Sequence, residues 1–283
     1  MILSLRQIKS RIRGIENVKK VTHAMEMISV AKYRNTENRL LSRKQYSEKI
    51  EELLKELLAA SNVPAHPLLN QRPEKQKIAL CVITSDTGLC SLYNANVIRQ
   101  AEQFINRHGR EKVVLYTLGK KGFSYFKNRN FNIRQAYISV NGRFSDDFGA
   151  RLCSDLSGVF LSGEVDEVYL AYTIFLSPAR HSAAIQKFLN IDIPAGKKIE
   201  CIFDPDIKGI MEKLIPEYLL NKIKSVLLDA FASEHASRMM AMGEATSNAR
   251  ELLLGLVLMR NKVRQANITK ELIEIVSSAE VLR

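Results

Sequence analysis

The sequence predicts an α/β fold in which a long antiparallel two-helix coiled coil, formed by both termini, carries an inserted α/β domain with a mostly parallel sheet. Helical spacing of apolar residues runs through the N-terminal part, strand-like apolar runs alternate with helical segments in the middle, and helical spacing resumes to the end. The predicted boundaries are 1–63 for the N-terminal helix, 64–206 for the α/β domain and 207–283 for the C-terminal helix.

The N-terminal segment lacks helix-breaking residues over an unusual length. It contains no proline and one glycine, Gly14, before Pro64 and Pro67 end the pattern. Apolar residues recur three and four positions apart, which is the spacing of one helix face. They are Leu5, Ile8, Ile12, Ile15, Val18, Val21, Met25 and Ile28. A helix of about 55 residues would measure roughly 80 Å, far more than a helix of a compact domain.

The middle of the chain alternates apolar runs with helical segments, which is typical of an α/β domain. The predicted strands are 78–83, 113–118 and 168–176, with a further candidate at 184–193. The predicted helices are 94–107, 120–127 and 146–161. Each helix is long enough for the crossover that parallel strand pairing requires, so an open, mostly parallel sheet is expected.

The C-terminal segment predicts a second helix of about 70 residues. No proline follows Pro216, and helical apolar spacing resumes at Leu219. Its last third alternates steps of three and four residues, as a coiled-coil seam does. The predicted seam comprises Ala249, Leu252, Leu256, Met259, Val263, Ala266, Lys270 and Ile273. The N-terminal helix is the expected partner, because each long amphipathic helix must bury its stripe against another helix.

The charge balance favours an acidic partner. Lysine and arginine total 42 against 30 acidic residues, a formal charge of +12, and eleven basic residues against three acidic ones fall within the first 44. Such a helix can dock to acidic protein loops or to nucleic-acid phosphates, and composition alone does not decide between them. No run of about 18 apolar residues occurs, so no membrane insertion is expected.

The loop after the first predicted strand, residues 84–90 (TSDTGLC), stands where an α/β sheet places a phosphate or nucleotide site. It has one glycine and no lysine, unlike the phosphate-binding patterns GxGxxG and GxxxxGK[ST]. A structural turn positioned by Asp86 is therefore the preferred interpretation.

Catalytic, metal-binding and cofactor-binding patterns are missing from the sequence. His23 and Glu26, three residues apart, are expected to form an exposed pair on one helix surface. The cysteines have neither CxxC spacing nor neighbouring histidines, so reduced, partly buried thiols are expected. They are Cys81, Cys90, Cys153 and Cys201. No catalytic residue, metal site or cofactor is predicted.

Both ends of the chain resemble the gamma subunit of F-type ATP synthases. The matching segments are 8–12 (IKSRI), 21–27 (VTHAMEM), 31–34 (AKYR), 232–242 (ASEHASRMMAM), 245–249 (ATSNA), 261–266 (NKVRQA) and 268–271 (ITKE). The resemblance runs nearly end to end. The loop after the first strand departs from the family's DRGLCGGLN pattern at Thr87, Ser91 and Leu92, which concerns local turn geometry and stalk contacts.

The resemblance implies a non-catalytic central rotor shaft, one copy per complex, that couples ion-driven rotation of a membrane ring to conformational cycling of the catalytic beta subunits. The implied partners are the alpha and beta subunits of the head, the epsilon subunit and the membrane ring of c subunits. The α/β domain would lie near that ring. The shaft would be peripheral, at the cytoplasmic face of the bacterial inner membrane, and the lack of a transit peptide and of a cysteine-paired insertion favours a bacterial form.

Residue by residue, the resemblance implies two contact surfaces. The surface that faces the head comprises Met25, Lys32, Arg34, Arg238, Arg264, Gln265, Thr269 and Glu271. The surface on the side of the ring and the epsilon subunit comprises Phe203, Asp204 and Asp206. The basic face of the first helix would then meet acidic loops of beta, with no nucleic acid involved.

Two other function classes remain as alternatives. The basic first helix would suit a coiled-coil nucleic-acid-binding protein, and salt-dependent binding to duplex DNA would favour it. The loop after the first strand would suit an α/β enzyme, and turnover of a phosphorylated substrate would favour that. Neither alternative accounts for the matching segments at both ends.

Overall fold

A computed structural model describes residues 4–59, 66–69, 77–191 and 207–281. The helices are α1 (Leu5–Leu58), α2 (Tyr93–His108), α3 (Lys120–Lys127), α4 (Asp146–Leu161) and α5 (Ile207–Val281). The strands are β1 (Ile78–Ile83), β2 (Val113–Leu118), β3 (Ile133–Tyr137), β4 (Glu167–Ser177) and β5 (Arg180–Leu189). Short 3₁₀ turns occupy Pro67–Leu69 and Arg110–Lys112.

The two long terminal helices confirm the prediction. α1 has 54 residues and α5 has 75, so α5 extends over about 110 Å. α5 continues unbroken through Gly243 and also contains Pro216, whose missing N–H removes one backbone hydrogen bond near the start of the helix.

The sheet has five strands in the order β3-β2-β1-β4-β5. β1 pairs in parallel with β2 and β4, β2 pairs in parallel with β3, and β4 and β5 form an antiparallel hairpin. The expectation of a mostly parallel sheet is therefore confirmed, with β5 as its one antiparallel member among the described strands.

Strand β3 is absent from the sequence-based prediction. Its burial is low at Arg134 and Gln135, because β3 lies at the edge of the sheet and exposes polar side chains. The predicted strand at 184–193 begins earlier, at Arg180, and ends at Leu189. Residues 192 and 193 lie outside the described part of the chain.

Two apolar layers cover the two faces of the sheet. Alternate residues of β1 point into them: Ala79, Cys81 and Ile83 into one, and the residues between them into the other. The first layer also contains side chains of α4, the end of α1 and the start of α5, and the second contains side chains of α2 and α3. Cys81 lies in the first layer, and burial raises the pKa of its thiol to about 12.

The cysteines that the structure describes, Cys81, Cys90 and Cys153, are free and buried, as expected. Cys201 lies outside the described residues.

The chain divides into two compact units. The first comprises residues 1–29 and 239–283, and the second comprises residues 30–238. The second unit therefore contains the sheet together with the second half of α1 and the first part of α5. The sequence-based boundaries at 63 and 206 differ, because they follow the ends of the long helices.

Within the first unit, α1 and α5 pack as an antiparallel pair. Ile8 and Ile12 of α1 are buried, as are Met242 and Ala249 of α5. The hydroxyl of Thr246 donates a hydrogen bond of 2.9 Å to that of Thr22. In this register Leu5, the first residue of α1, lies about level with Val263.

The seam of this pair differs from the predicted one at several apolar positions. Val18, Val21 and Ile28 of α1 are exposed, as are Leu252 and Met259 of α5. Partly buried positions lie next to them instead. Leu253 among them is apolar, but Lys19, Thr22, Glu26 and Arg260 are polar. A seam that mixes polar and apolar positions cannot be traced by hydrophobic spacing alone.

Candidate functional site

The carboxylate of Asp86 joins three loops at the carboxyl edge of the sheet. It follows β1, and its Oδ1 accepts hydrogen bonds from the backbone N–H groups of Lys120 and Ser139, each at 3.0 Å. Its Oδ2 accepts from the N–H of Asn141 at 2.6 Å. Asp86 therefore ties the ends of β1, β2 and β3 together, as the structural interpretation of this loop predicts.

The neighbouring backbone donors are also used within the chain. The Thr84 hydroxyl donates to the carbonyl of Leu118 at 2.8 Å and accepts from the N–H of Gly122 at 2.9 Å. Gly119 has a φ of +90°, and a Cβ there would lie 2.2 Å from the Thr84 carbonyl oxygen. Packing this close leaves no room for a phosphate beside Gly119, where the chain passes from β2 into α3.

A buried ion pair on α5 contacts the same loop. The guanidinium of Arg238 lies 2.9 Å from the carboxylate of Glu234, and their side chains are 8% and 3% exposed. Its Nε and a terminal nitrogen each donate a 3.1 Å hydrogen bond, to the carbonyls of Gly88 and Thr87. Burial raises the pKa of Glu234, and the charge of Arg238 opposes that shift. Arg238 thus holds α5 against the β1 loop.

This ion pair lies where doubly wound sheets bind ligands. The strand order changes direction at β1, between β2 and β4, and ligands bind at the carboxyl edge of such a switch point. Here the carbonyls of the β1 loop accept from Arg238. The neighbouring Ser233 hydroxyl lies 3.5 Å from the carbonyl of Thr173 in β4. Helix α5 therefore occupies the place at the carboxyl edge of the sheet where such folds bind a ligand.

Two histidines fasten the same stretch of α5. His235 is buried, and its Nε2 lies 2.9 Å from the carbonyl oxygen of Gly142, which it reaches as a donor in the neutral tautomer. Burial lowers the pKa of His235 to about 4, so the ring is neutral at pH 7. His181 of β5 lies 3.1 Å from the hydroxyl of Ser237, and burial lowers its pKa too.

Helix α1 approaches the same place from the other side. The Lys32 ammonium donates to the carbonyl of Asn141 at 3.2 Å. Burial lowers the pKa of Lys32, while Glu234 opposes that shift. Tyr33 packs its ring 5.8 Å from that of Phe175 and donates its hydroxyl to Glu37.

We call this set of residues the α5 clamp: Lys32, Asp86, Glu234, His235 and Arg238. It joins α1, α5 and the loops after β1 and β3 within the second unit. The contacts are ion pairs and hydrogen bonds to backbone carbonyls, and they hold α5 on the sheet. The arrangement suits the transmission of force between a helix and a sheet.

The residues predicted to face a catalytic head fall into two groups. In the first unit, Met25 is half-buried, whereas the α5 residues are exposed: Arg264, Gln265, Thr269 and Glu271. The Thr269 hydroxyl donates to the Gln265 carbonyl at 3.0 Å, so both lie along one side of the helix.

The other predicted head-facing residues lie in the second unit. Arg34 is exposed and Lys32 is half-buried. Arg238 is buried and bonded within the chain, which does not fit a contact with another subunit, because its guanidinium already holds Glu234 and the β1 loop. The ring-facing candidates Phe203, Asp204 and Asp206 lie outside the described residues.

The end of α5 exposes large apolar side chains that the sequence analysis did not assign to a contact surface. Beyond Val263, α5 extends past Leu5, the first residue of α1 that the structure describes. The side chains there are 48–65% exposed: Ile268, Leu272, Ile273, Ile275 and Val276. Their number over so short a stretch of one helix marks an interaction surface. A comparison of helix lengths, with α1 starting near residue 5, would have revealed this surface.

His23 and Glu26 form the expected pair on the surface of α1, with a ring nitrogen 3.4 Å from the carboxylate. Among the described residues, no group of three or more histidine, cysteine, aspartate or glutamate side chains could hold a metal ion. None of the described helices is both long enough and apolar enough to cross a membrane.

Comparison with protein families gives one match over nearly the whole chain. Residues 4–282 match a family model described as ATP synthase. A protein from Anaeromyxobacter sp. (strain Fw109-5) named "ATP synthase gamma chain" is 37% identical over 290 residues, which cover 99% of each chain. A protein of the same name from Protochlamydia amoebophila is 36% identical, again over 99% of each chain. Nothing in these comparisons supports the nucleic-acid-binding alternative.

Solved structures share the fold at lower sequence identity. A chain of the Euglena gracilis mitochondrial ATP synthase in rotational state 3 has a TM-score of 0.69 at 19% identity, covering 98% of this chain and 94% of that one. A chain from the central stalk and c-ring of the Tetrahymena thermophila mitochondrial ATP synthase has a TM-score of 0.64 at 22% identity. It covers 80% of this chain and 99% of that one.

Proposed function

Because the chain belongs to the ATP synthase gamma-chain family, we propose that it is the central rotor shaft of an F-type ATP synthase. In this role it couples ion-driven rotation of a membrane ring to conformational cycling of the catalytic beta subunits. The exposed apolar end of α5 carries the proposal at the structural level. Such a surface requires a partner that encloses the helix, and the catalytic head of alpha and beta subunits is that partner.

The polar residues beside that end provide specific contacts. Arg264, Gln265, Thr269 and Glu271 are exposed in the isolated chain, so their hydrogen-bonding groups are available to loops of alpha and beta. A polar group that becomes buried must find a partner, so these contacts form in some rotational positions and are lost in others.

Rotation acts on the beta subunits by population shift. Two helices of different sequence present a different surface to each of three identical catalytic subunits, and each surface stabilises a different conformation. A few kcal/mol of differential contact free energy per site is enough to change which conformation predominates. Turning the shaft carries each site through the three conformations in sequence.

The α5 clamp passes force from the sheet to α5. We propose that the sheet-containing unit lies near the ring of c subunits and the epsilon subunit, with Phe203, Asp204 and Asp206 on that side. Force applied to the sheet then reaches α5 through Arg238, because the guanidinium holds the carbonyls of the β1 loop.

Catalysis belongs to the beta subunits in this proposal, and the chain itself hydrolyses no ATP. The carboxyl edge of β1 supports that assignment, since the helix α5 occupies it and the Asp86 carboxylate accepts the backbone donors around it. The protein acts as one copy per complex, peripheral to the cytoplasmic face of a bacterial inner membrane, with no cofactor of its own.

Reconstitution with alpha and beta subunits tests the proposal. Replacing Gln265 or Thr269 by alanine should leave the chain folded but weaken head-to-shaft coupling by roughly 1–3 kcal/mol, the cost of an unsatisfied buried polar partner. The measurements are the stability of the complex and its ATPase rate, with helicity checked by circular dichroism.

Ser42→Ala is the matched control. Ser42 is exposed on α1, and its hydroxyl donates to the carbonyl three residues earlier, much as that of Thr269 donates four residues earlier. If the Gln265 and Thr269 variants behave like this control in both measurements, these residues make no contact with the head. Failure of the unmodified chain to bind alpha and beta at all would refute the shaft assignment itself.

A further inference from the structure

A cavity in the sheet-containing unit has an excess of positive charge. It lies between α1 and the loop before α4, with a volume of about 270 Å³. Its charged lining residues are all cationic: Lys32 and Arg39 from α1, and Arg143 from the loop. Asn35 and Thr36 add polar groups, and Phe144 closes one side.

The three cations have no carboxylate partner among the described residues. Lys32 donates to the carbonyl of Asn141, and Arg39 donates to the carbonyl of Phe144 at 3.4 Å while its guanidinium lies 5.9 Å from the Phe144 ring. The exposed Arg143 makes neither an ion pair nor a side-chain hydrogen bond in the part of the chain that the structure describes.

The carboxylates nearest to this cavity are already bound. Glu234 is held by Arg238 at 2.9 Å. Asp146 is shared by Arg43 at 3.1 Å and Lys224 at 2.6 Å. Glu234 acts electrostatically on Lys32, and Asp146 acts on Arg39, but both carboxylates are bound more closely by other cations. The cavity therefore keeps an excess of positive charge, and like charges held close together repel one another.

We propose that this cavity binds a phosphate group, with Lys32, Arg39 and Arg143 as its ligands. A phosphate dianion carries more charge than a single carboxylate, and its oxygens accept from guanidinium and ammonium donors at once. The volume holds one phosphate group with a few waters. The bound anion bridges α1 to the loop before α4.

Binding of inorganic phosphate to the full-length chain tests this site. The method is isothermal titration calorimetry at constant ionic strength, with chloride replacing phosphate in the reference titration. This comparison separates phosphate binding at the site from the general screening of charges by salt. We expect saturable binding of one phosphate with a Kd of about 1 mM or below. Arg143→Gln and Arg39→Gln should each weaken binding about tenfold, the effect of one charge-assisted hydrogen bond. Both residues are exposed, so the variants are expected to fold.

Lys112→Gln is the control, because Lys112 is exposed and lies outside the cavity. Titration with ATP distinguishes the source of the phosphate group: tighter binding of ATP than of phosphate, lost in the same variants, assigns the site to a nucleotide's phosphate tail. Absence of saturable binding by either anion would overturn the proposal. Equal affinity in the cavity variants and the control would do the same.

Discussion

Arg238→Ala should be the most destabilising single change in the α5 clamp. It removes the partner of Glu234 and leaves the carbonyls of Thr87 and Gly88 without their donors. The Glu234 side chain is only 3% exposed, so its charge has little access to water. Breaking one side of a buried ion pair costs about 3–5 kcal/mol. Burial raises the pKa of Glu234, and the loss of Arg238 removes the charge that opposes that shift.

The assay is urea unfolding of the full-length chain, followed by far-ultraviolet circular dichroism and tyrosine fluorescence. The chain has nine tyrosines and no tryptophan, so tyrosine emission is seen without interference. Glu234→Gln and the double variant complete a double-mutant cycle. We expect a coupling free energy of roughly 1–3 kcal/mol between Glu234 and Arg238, since the two residues share one buried ion pair.

Arg43→Ala serves as the control for the same residue type. Arg43 pairs with Asp146 at 3.1 Å, but the side chains are 31% and 59% exposed, so its loss should cost less than about 1 kcal/mol. If Arg238→Ala costs no more than Arg43→Ala, or if the double-mutant cycle shows no coupling, the ion pair does not hold α5 on the sheet.

Three further changes test the energetics of the second unit. Burial raises the pKa of Asp229 to about 7 from 3.8, so the stability of the chain falls as pH rises through that range. Asp229→Asn should therefore stabilise the chain by roughly 2–4 kcal/mol at pH 8 but by clearly less at pH 5. An equal gain at both pH values would contradict this. Burial lowers the pKa of His235 to about 4 from 6.5, so the chain should lose roughly 2–3 kcal/mol of its free energy of unfolding as pH falls from 6.5 to 4. His235→Gln should remove this pH dependence of stability, as measured by urea unfolding. Gly119→Ala would place a Cβ 2.2 Å from the Thr84 carbonyl at a φ of +90° and should cost more than about 2 kcal/mol. Gly158→Ala, in α4 with open space around it, should instead be neutral or slightly stabilising; similar urea midpoints for the two variants would rule out the close approach at Gly119.

The central strands were predictable because local sequence decides them. β1 and β2 lie in the middle of the sheet, covered on both faces, so their sequences are continuous apolar runs. β3 lies at the edge and exposes Arg134 and Gln135, so its sequence does not differ from that of a loop. Pairing with β2 stabilises it, and such pairing is invisible in a single segment.

The long helices were predictable in extent but not in the face that they bury. The helical spacing and the lack of proline through α1 and after Pro216 predict α1 and α5, whereas Val18 and Leu252 are exposed. Thr22 and Thr246 occupy the seam, where their hydroxyls lie 2.9 Å apart and share a hydrogen bond, and a hydrophobic pattern does not include such pairs. The burial of Arg238 could not be predicted from the sequence either, because its partners Thr87 and Gly88 lie about 150 residues away in the chain.

The hydrogen bond between Thr22 and Thr246 fixes the axial position of one helix along the other. A slip of one heptad that placed Thr246 opposite Ile15 would break this hydrogen bond, and each hydroxyl would keep only its bond to a carbonyl of its own helix. Gly243 adds a second constraint, because a Cβ there would lie 3.3 Å from the carboxylate of Glu26, so the Glu26 side chain packs close to α5 at this level. The distance by which α5 projects past the start of α1 is therefore set by these contacts, and an axial load on the tip meets resistance there.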